Sequence, residues 1–346
     1  MSNLSSKLNR RNVLKGTLAV AAAPAIITSA QAQAKVNWKV QSHWPKVSGS
    51  FKDSLGVVAS ELEARTDGRF KLEPLGAGEI AKGGEIYNIV RRGVVAMGTI
   101  SPAYNLGESE LMSQYMGIPG TFRDPWEMMH MTKNLGLEAA LNEQLKSKGV
   151  FYMADKAYPT ELVLKNGIKQ GDDLAGIKVR SAGAMLEYLQ AAGFAPQQVA
   201  GPEIYQAIST GVVDGAHWGA AIGALSMKFW EVAKFHMKPA LLIANDAYII
   251  NLDAYNKLPD DLRLIFTSLV ENRYYQRSVE YQHQEAISLN TGVSKMDVTV
   301  QRYPDDVLSR LQKASATLVE KEAAKGPKAK EMVDKLNGLM KDLGYV

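Results

Sequence analysis

The segment from Asp172 to Trp230 gathers the side chains best suited to meeting a charged small molecule. Arg180 closes a short alternating run, Ile177-Lys178-Val179-Arg180, and small residues follow it, Ser181-Ala182-Gly183. A guanidinium is a planar fork of donors that holds a carboxylate by two parallel, charge-assisted hydrogen bonds. Farther on, Asp214-Gly215-Ala216-His217-Trp218 places an acid, an imidazole and an indole at the end of the next short run. Asp214 and His217 are of the types that form a dyad. A neutral imidazole can also donate to a keto or hydroxyl oxygen without a metal. Gly215, Ala216, Gly219 and Ala220 flank Trp218 and leave room beside its ring, which suits an indole wall in a pocket. The plainer alternatives are an exposed arginine at a strand end and a tryptophan packed in the core.

In an open α/β sheet, ligands bind at the carboxyl ends of the strands. The spacing predicts a strand ending at Arg180, a helix over 184–192, a loop holding Pro196 and Pro202, a helix over 203–210 and a short buried run at Gly211-Val212-Val213. Upstream, Val36–Ser42 alternates as a first strand, and His43-Trp44-Pro45 opens a loop. Phe51, Leu55, Val58 and Leu62 mark a helix that Thr66-Asp67-Gly68 stops. Phe70–Leu75 and Val94–Ile100 read as strands around a helix over 85–92, and the second of them leads into the loop Ser101–Tyr104. Downstream, Gly149–Met153, Leu162–Leu164, Tyr248–Ile250 and Val298–Val300 read as strands. A long helix runs from Pro259 to about Leu289, and two surface helices follow. Strands alternating with helices predict an α/β fold with a largely parallel sheet.

Composition narrows the function. Of 40 basic residues, Lys7, Arg10, Arg11 and Lys15 lie in the first 34, which hold no acid; the rest of the chain carries 36 of each sign. A neutral surface argues against a nucleic-acid partner. With no cysteine, disulfides, thiolate metal sites and thiol nucleophiles are excluded. The five histidines are scattered, which argues against a zinc site. There is no G-x-S-x-G, P-loop or dinucleotide fingerprint. The reading is therefore not an enzyme, with no cofactor and no metal. Residues 1–34 have the form of a cleaved export signal: Arg10-Arg11 with Leu14-Lys15, a short apolar run from Gly16 to Ile27, and small residues at Ala30-Gln31-Ala32 or Ala32-Gln33-Ala34. That places the mature protein outside the cytoplasmic membrane, and the paired arginines resemble a twin-arginine signal.

Several ordered motifs resemble those of the periplasmic solute-binding proteins of TRAP transporters, over residues 36–290. Asp173-Leu174-Ala175-Gly176-Ile177-Lys178-Val179-Arg180 is similar to the family's D-L-x-G-x-K-x-R signature. Tyr205-Gln206-Ala207-Ile208 with Gly211-Val212-Val213-Asp214-Gly215 resembles its Y-x-A-L-x-x-G-x-x-D-G/A segment. Gly78-Glu79-Ile80, Gly117-Ile118-Pro119 and Phe122-Arg123-Asp124 also match its pattern. The resemblance implies a two-lobed periplasmic binding protein fold with a long helix spanning both lobes. Lobe 1 would be 35–157 plus 244–283, and lobe 2 would be 158–243 plus 284–346. It implies an organic acid between the lobes, its carboxylate on the arginine matching Arg180, and delivery to TRAP membrane permease subunits.

Two departures from the family shape the ligand. The branch that binds 2-oxo acids through a metal has a Glu-aromatic pair where this chain has His217-Trp218. A second basic residue used by the dicarboxylate branches is missing around Ala157–Glu161, with Lys156 as a substitute. One carboxylate anchor, together with His217, Trp218, Tyr104, Tyr158, Tyr248 and Trp44, implies a monocarboxylate: a 2-oxo, 2-hydroxy or aromatic acid. Asp214 would orient the His217 loop. The alternatives are a metal-bridged 2-oxo acid binder of the same family and a ligand-binding sensory receptor.

Overall fold

The computed structural model describes residues 35–345, so the export signal at 1–34 lies outside the described residues. Those described residues form two sheets. The first holds β1 (Val36–Gln41), β2 (Phe70–Leu75), β3 (Met97–Ile100), β4 (Val150–Thr160) and β10 (Leu242–Asn251), in the order β2-β1-β3-β10-β4. The second holds β5 (Val163–Leu164), β6 (Lys178–Ser181), β7 (Ala195–Gln198), β8 (Gly215–Ala216), β9 (Phe235–Lys238) and β11 (Thr299–Arg302), in the order β11-β9-β5-β8-β6-β7.

Most neighbours are parallel, as alternating strands and helices require. The antiparallel exceptions are β10 against β3 and β4, and β5 against β8 and β9. These exceptions come from the two chain crossings. β4 leaves the first sheet and continues at once into β5 of the second, while β9 returns through Pro239–Leu241 into β10. The long helix Asp260–Lys295 packs along β4 and also along the helix Ala221–Ser226, so it braces both sheets.

Some expected boundaries shift, for physical reasons. β3 begins only at Met97, because Val94 sits in an exposed turn after the preceding helix. β7 contains Pro196 and was expected as loop; it is the last strand of its sheet, where a missing N–H costs no ladder bond. The run at Val212-Val213 forms no strand; Val212 is exposed and Val213 buried, and pairing begins at Gly215. β4 and β10 are far longer than read, and both carry buried charges in mid-strand.

Candidate functional site

The carboxyl ends of β1, β3, β6 and β8 open onto one cleft between the sheets, with about 750 Å³ of empty space including its mouth. Its walls carry Arg180, His217 and Trp218 from the second sheet. Facing them are His43 and Trp44 after β1, Tyr104 after β3, and Lys156, Tyr158 and Asp246 from β4 and β10.

Arg180 stands opposite Ala216 in the parallel β6–β8 pair, so the chain places His217 beside it. Its Nε donates to the Val199 carbonyl at 3.0 Å and its Nη1 to the His217 carbonyl at 3.3 Å. The guanidinium lies 5.4 Å from the centre of the Trp218 ring. Arg180 is 3% exposed. Burial lowers its pKa, while Tyr104 and Tyr158 raise it, and an arginine stays charged regardless. Among the described residues no carboxylate pairs with it; its bonds go to carbonyl oxygens and its nearest polar side chains are tyrosines. A buried cation without an anion is costly unless a ligand supplies one.

The imidazole of His217 lies 3.1 Å from Ser181 Oγ through Nε2. Burial, and then the charge of Arg180, push its pKa down to about 3, so it is neutral at pH 7. Trp218 owes its place to glycines other than those beside it in sequence. A Cβ on Gly201 would lie 2.5 Å from its ring, and one on Gly223 would lie 1.5 Å from its carbonyl oxygen. The loop is gripped from the long helix: Glu285 accepts from the backbone N–H of Ala221 at 2.6 Å and of Ile222 at 2.9 Å. Burial raises the pKa of that carboxyl to about 7.

The opposite wall holds a cationic group that is fully engaged. Lys156 is 1% exposed and stands directly across from Asp246 in the antiparallel β4–β10 pair. Its ammonium donates to Asp246 at 2.8 Å and to Asp155 at 3.1 Å, and sits 4.5 Å from the Trp44 ring centre and 4.7 Å from that of Tyr158. Tyr158 donates to the other Asp246 oxygen at 3.0 Å. Burial raises the Asp246 pKa, but Lys156, His43 and these bonds outweigh it and hold the carboxyl below its ordinary value. His43 lies against Trp44, with ring centres 4.6 Å apart, and burial lowers its pKa to about 4.

Arg180, His217, Trp218, Tyr104, Tyr158 and Trp44 thus meet in one cleft, as expected. Tyr248 does not join them. It is buried in the core behind the cleft, where its hydroxyl donates to Asp155 at 2.8 Å. The register of the β4–β10 pair shifts between Asp246 and Ala247, where Asp155 of β4 is passed over. Asp214 forms no dyad with His217. It sits before β8, where its carboxylate accepts from the Lys178 N–H at 2.9 Å and its own N–H donates to the Lys178 carbonyl at 2.7 Å, stitching β6 to β8. Asp246 and Ser181 were missed. The signal for Asp246 was there: an acid inside the apolar run 241–250 must be paired where it is buried.

Comparison with known proteins follows this geometry. Residues 42–325 match the family described as bacterial extracellular solute-binding protein, family 7, and residues 7–26 match the twin-arginine translocation signal sequence. The chain is 25% identical over 97% of its length, and 95% of the relative's, to a monocarboxylate 2-oxoacid-binding periplasmic protein of Nostoc sp.. It is similar to a TRAP periplasmic solute-binding protein from Pseudoalteromonas atlantica solved with sodium and pyruvate, at TM-score 0.82 and 20% identity, covering 89% of this chain and 95% of that one. It is also similar to an extracytoplasmic solute receptor from Bordetella pertussis binding pyroglutamic acid, at TM-score 0.78 and 20% identity, covering 87% and 99%. At such identities the two structures establish the two-lobed fold. No helix of the described residues is long and apolar enough to cross a membrane.

Proposed function

The chain belongs to family 7 of the bacterial extracellular solute-binding proteins, the periplasmic receptors of TRAP transporters, and on that premise we propose that its cleft captures one small organic monocarboxylate for uptake. The observation that carries this reading is the charge balance of the cleft. Arg180 has no carboxylate partner, whereas the charge of Lys156 is already met by Asp246 and Asp155. Among the described residues that line the cleft, Arg180 and Lys156 are cationic, Asp246 is anionic and both imidazoles are neutral, so one positive charge is left for the ligand, which suits one carboxylate rather than two. The ligands named for the three proteins compared above, a 2-oxoacid, pyruvate and pyroglutamic acid, each carry a single carboxylate, whereas other similar proteins are named for a C4-dicarboxylate and for 2-amino-1-propanol.

In this reading Arg180 clamps the carboxylate, Trp218 and Trp44 wall the cleft, and His217 offers a neutral polar edge. The two chain crossings and the long helix are where lobes 35–157 plus 244–283 and 158–243 plus 284–346 would hinge. Closure follows if the ligand binds the closed form better than the open one. The closed face would then dock on the TRAP membrane subunits.

A metal bridge, as in the sodium and pyruvate complex, does not suit these donors. Among the described residues that line the cleft the carboxylate is that of Asp246, and the Lys156 ammonium sits 2.8 Å from it, which repels a cation. His217 stands where a metal-binding acid would be needed. A thermal-shift screen against monocarboxylates, dicarboxylates, sugars and amines, with and without chelator, tests the reading. A ligand at about 100 times its dissociation constant adds about 2.7 kcal/mol, or roughly 4 °C for a chain of this size. Hits confined to sugars or amines would overturn it.

A further inference from the structure

His43 and Asp246 leave a gap in their contact. His43 Nε2 and Asp246 Oδ1 are 3.8 Å apart, too far for a hydrogen bond, and both residues line the cleft. The groups behind the imidazole bear on where its proton sits. Trp44 N–H donates to Ser42 Oγ at 2.9 Å, Ser42 Oγ lies 2.9 Å from Thr99 Oγ1, and Thr99 Oγ1 lies 3.0 Å from His43 Nδ1. Thr99 Oγ1 also accepts from the His43 backbone N–H at 3.1 Å. One assignment that gives each hydroxyl proton in this chain an acceptor has Ser42 donate to Thr99 and Thr99 donate to His43 Nδ1, with the Thr99 backbone carbonyl as a second partner for the ring. The neutral ring then carries its proton on Nε2, beside Asp246.

The gap is therefore flanked by an N–H donor on one side and a carboxylate acceptor on the other. Asp246 Oδ1 takes one bond from Tyr158 and has a lone pair left. A hydroxyl satisfies both sides, accepting from His43 and donating to Asp246. A keto oxygen accepts from His43 but has no proton to give, so its lone pairs face those of the carboxylate. Tyr104 and Tyr158 act on Arg180 and also reach this niche: Tyr104 through its edge contact with His43, 6.1 Å between centres, and Tyr158 through Asp246. The niche and the carboxylate clamp line the same cleft, and Tyr104 and Tyr158 neighbour both. We propose that the His43–Asp246 niche binds a hydroxyl of the ligand, so that the receptor selects hydroxy acids over the matching oxo acids. The proposal rests on the monocarboxylate reading, with Arg180 holding the carboxylate.

The test is calorimetric titration of the protein with matched pairs: lactate and pyruvate, 3-hydroxybutanoate and acetoacetate, and 2-hydroxy- and 2-oxo-3-methylbutanoate, using both enantiomers of each hydroxy acid. The hydroxy member should bind at least about tenfold tighter in each pair that binds, the worth of a bond to a charged acceptor. Asp246→Asn should lower that ratio. Because breaking the Lys156 pair endangers folding, Thr99→Val serves as the second variant. It is buried outside the cleft lining and frees the tautomer, so it should weaken both members of each pair while the carboxylate of Asp246 keeps the hydroxy member ahead; loss of the preference in Asp246→Asn but not in Thr99→Val is the expected result. Equal or tighter binding of the oxo members overturns the niche and leaves the monocarboxylate reading standing. Binding by no monocarboxylate at all overturns both.

Discussion

Replacing Arg180 by lysine separates what the guanidinium does for the ligand from what it does for the fold. Of its five N–H donors, one bonds the Val199 carbonyl and one the His217 carbonyl, and Tyr104 also engages the guanidinium, which leaves at least two for a carboxylate. A lysine ammonium is a single point with three donors and cannot present a parallel pair. The two carbonyls lose their partner in both free and bound protein, so that loss appears in stability and not in affinity. It is about 1–3 kcal/mol for each buried orphan, and burying the more strongly hydrated ammonium adds to it. Affinity loses one charge-assisted bond, about 2–3 kcal/mol, or about 30- to 150-fold in the dissociation constant. Calorimetry with the best ligand from the screen, alongside thermal melts of the unliganded variant, reads the two losses separately. An Arg180→Lys variant that binds within about threefold of the wild type would refute the carboxylate clamp.

Lys156→Met should destabilise the fold by about 3–5 kcal/mol, since it strands two buried carboxylates, Asp155 and Asp246; a melting temperature within about 2 °C of wild type would contradict that. The pKa of His43 falls from 6.5 to about 4 on folding, so its stability contribution is full above pH 6.5 and is lost as pH falls toward 4, by about 3 kcal/mol. Glu285, raised to about 7, works the opposite way between pH 4.5 and 7, so the slope is read as the difference between wild type and His43→Gln; identical slopes would sink the assignment. Gly223→Ala should displace the Trp218 backbone and cost ligand affinity at least tenfold, because its Cβ would lie 1.5 Å from the Trp218 oxygen. A titration showing wild-type affinity would show that Trp218 does not wall the site.

The local signals in the chain were enough to find the second-sheet half of the cleft. Arg180, His217 and Trp218 sit at strand ends whose apolar runs and following small residues are visible in order. The first-sheet half depends on pairing across long sequence separations. Lys156 and Asp246 interrupt the apolar patterns of β4 and β10, so each strand read as ending short of its charge, although the charges neutralise each other across the ladder. Tyr248, expected in the cleft, lies behind it just past the register shift of the β4–β10 pair, which the local sequence does not show. Asp214 shows the converse: its position in the motif was evident, but its role is to join two strands, which only the β6–β8 register reveals.

In the proposed function Arg180, which pairs with no carboxylate among the described residues, sets the charge of the ligand. The most direct measurement is calorimetric titration of the protein, in the presence of chelator, with a monocarboxylate and with the dicarboxylate that differs from it only by a second terminal carboxylate. The account predicts one site that binds the monocarboxylate undiminished by chelation, and the dicarboxylate at least tenfold more weakly. Equal binding of the dicarboxylate, or loss of monocarboxylate binding on chelation, would contradict it.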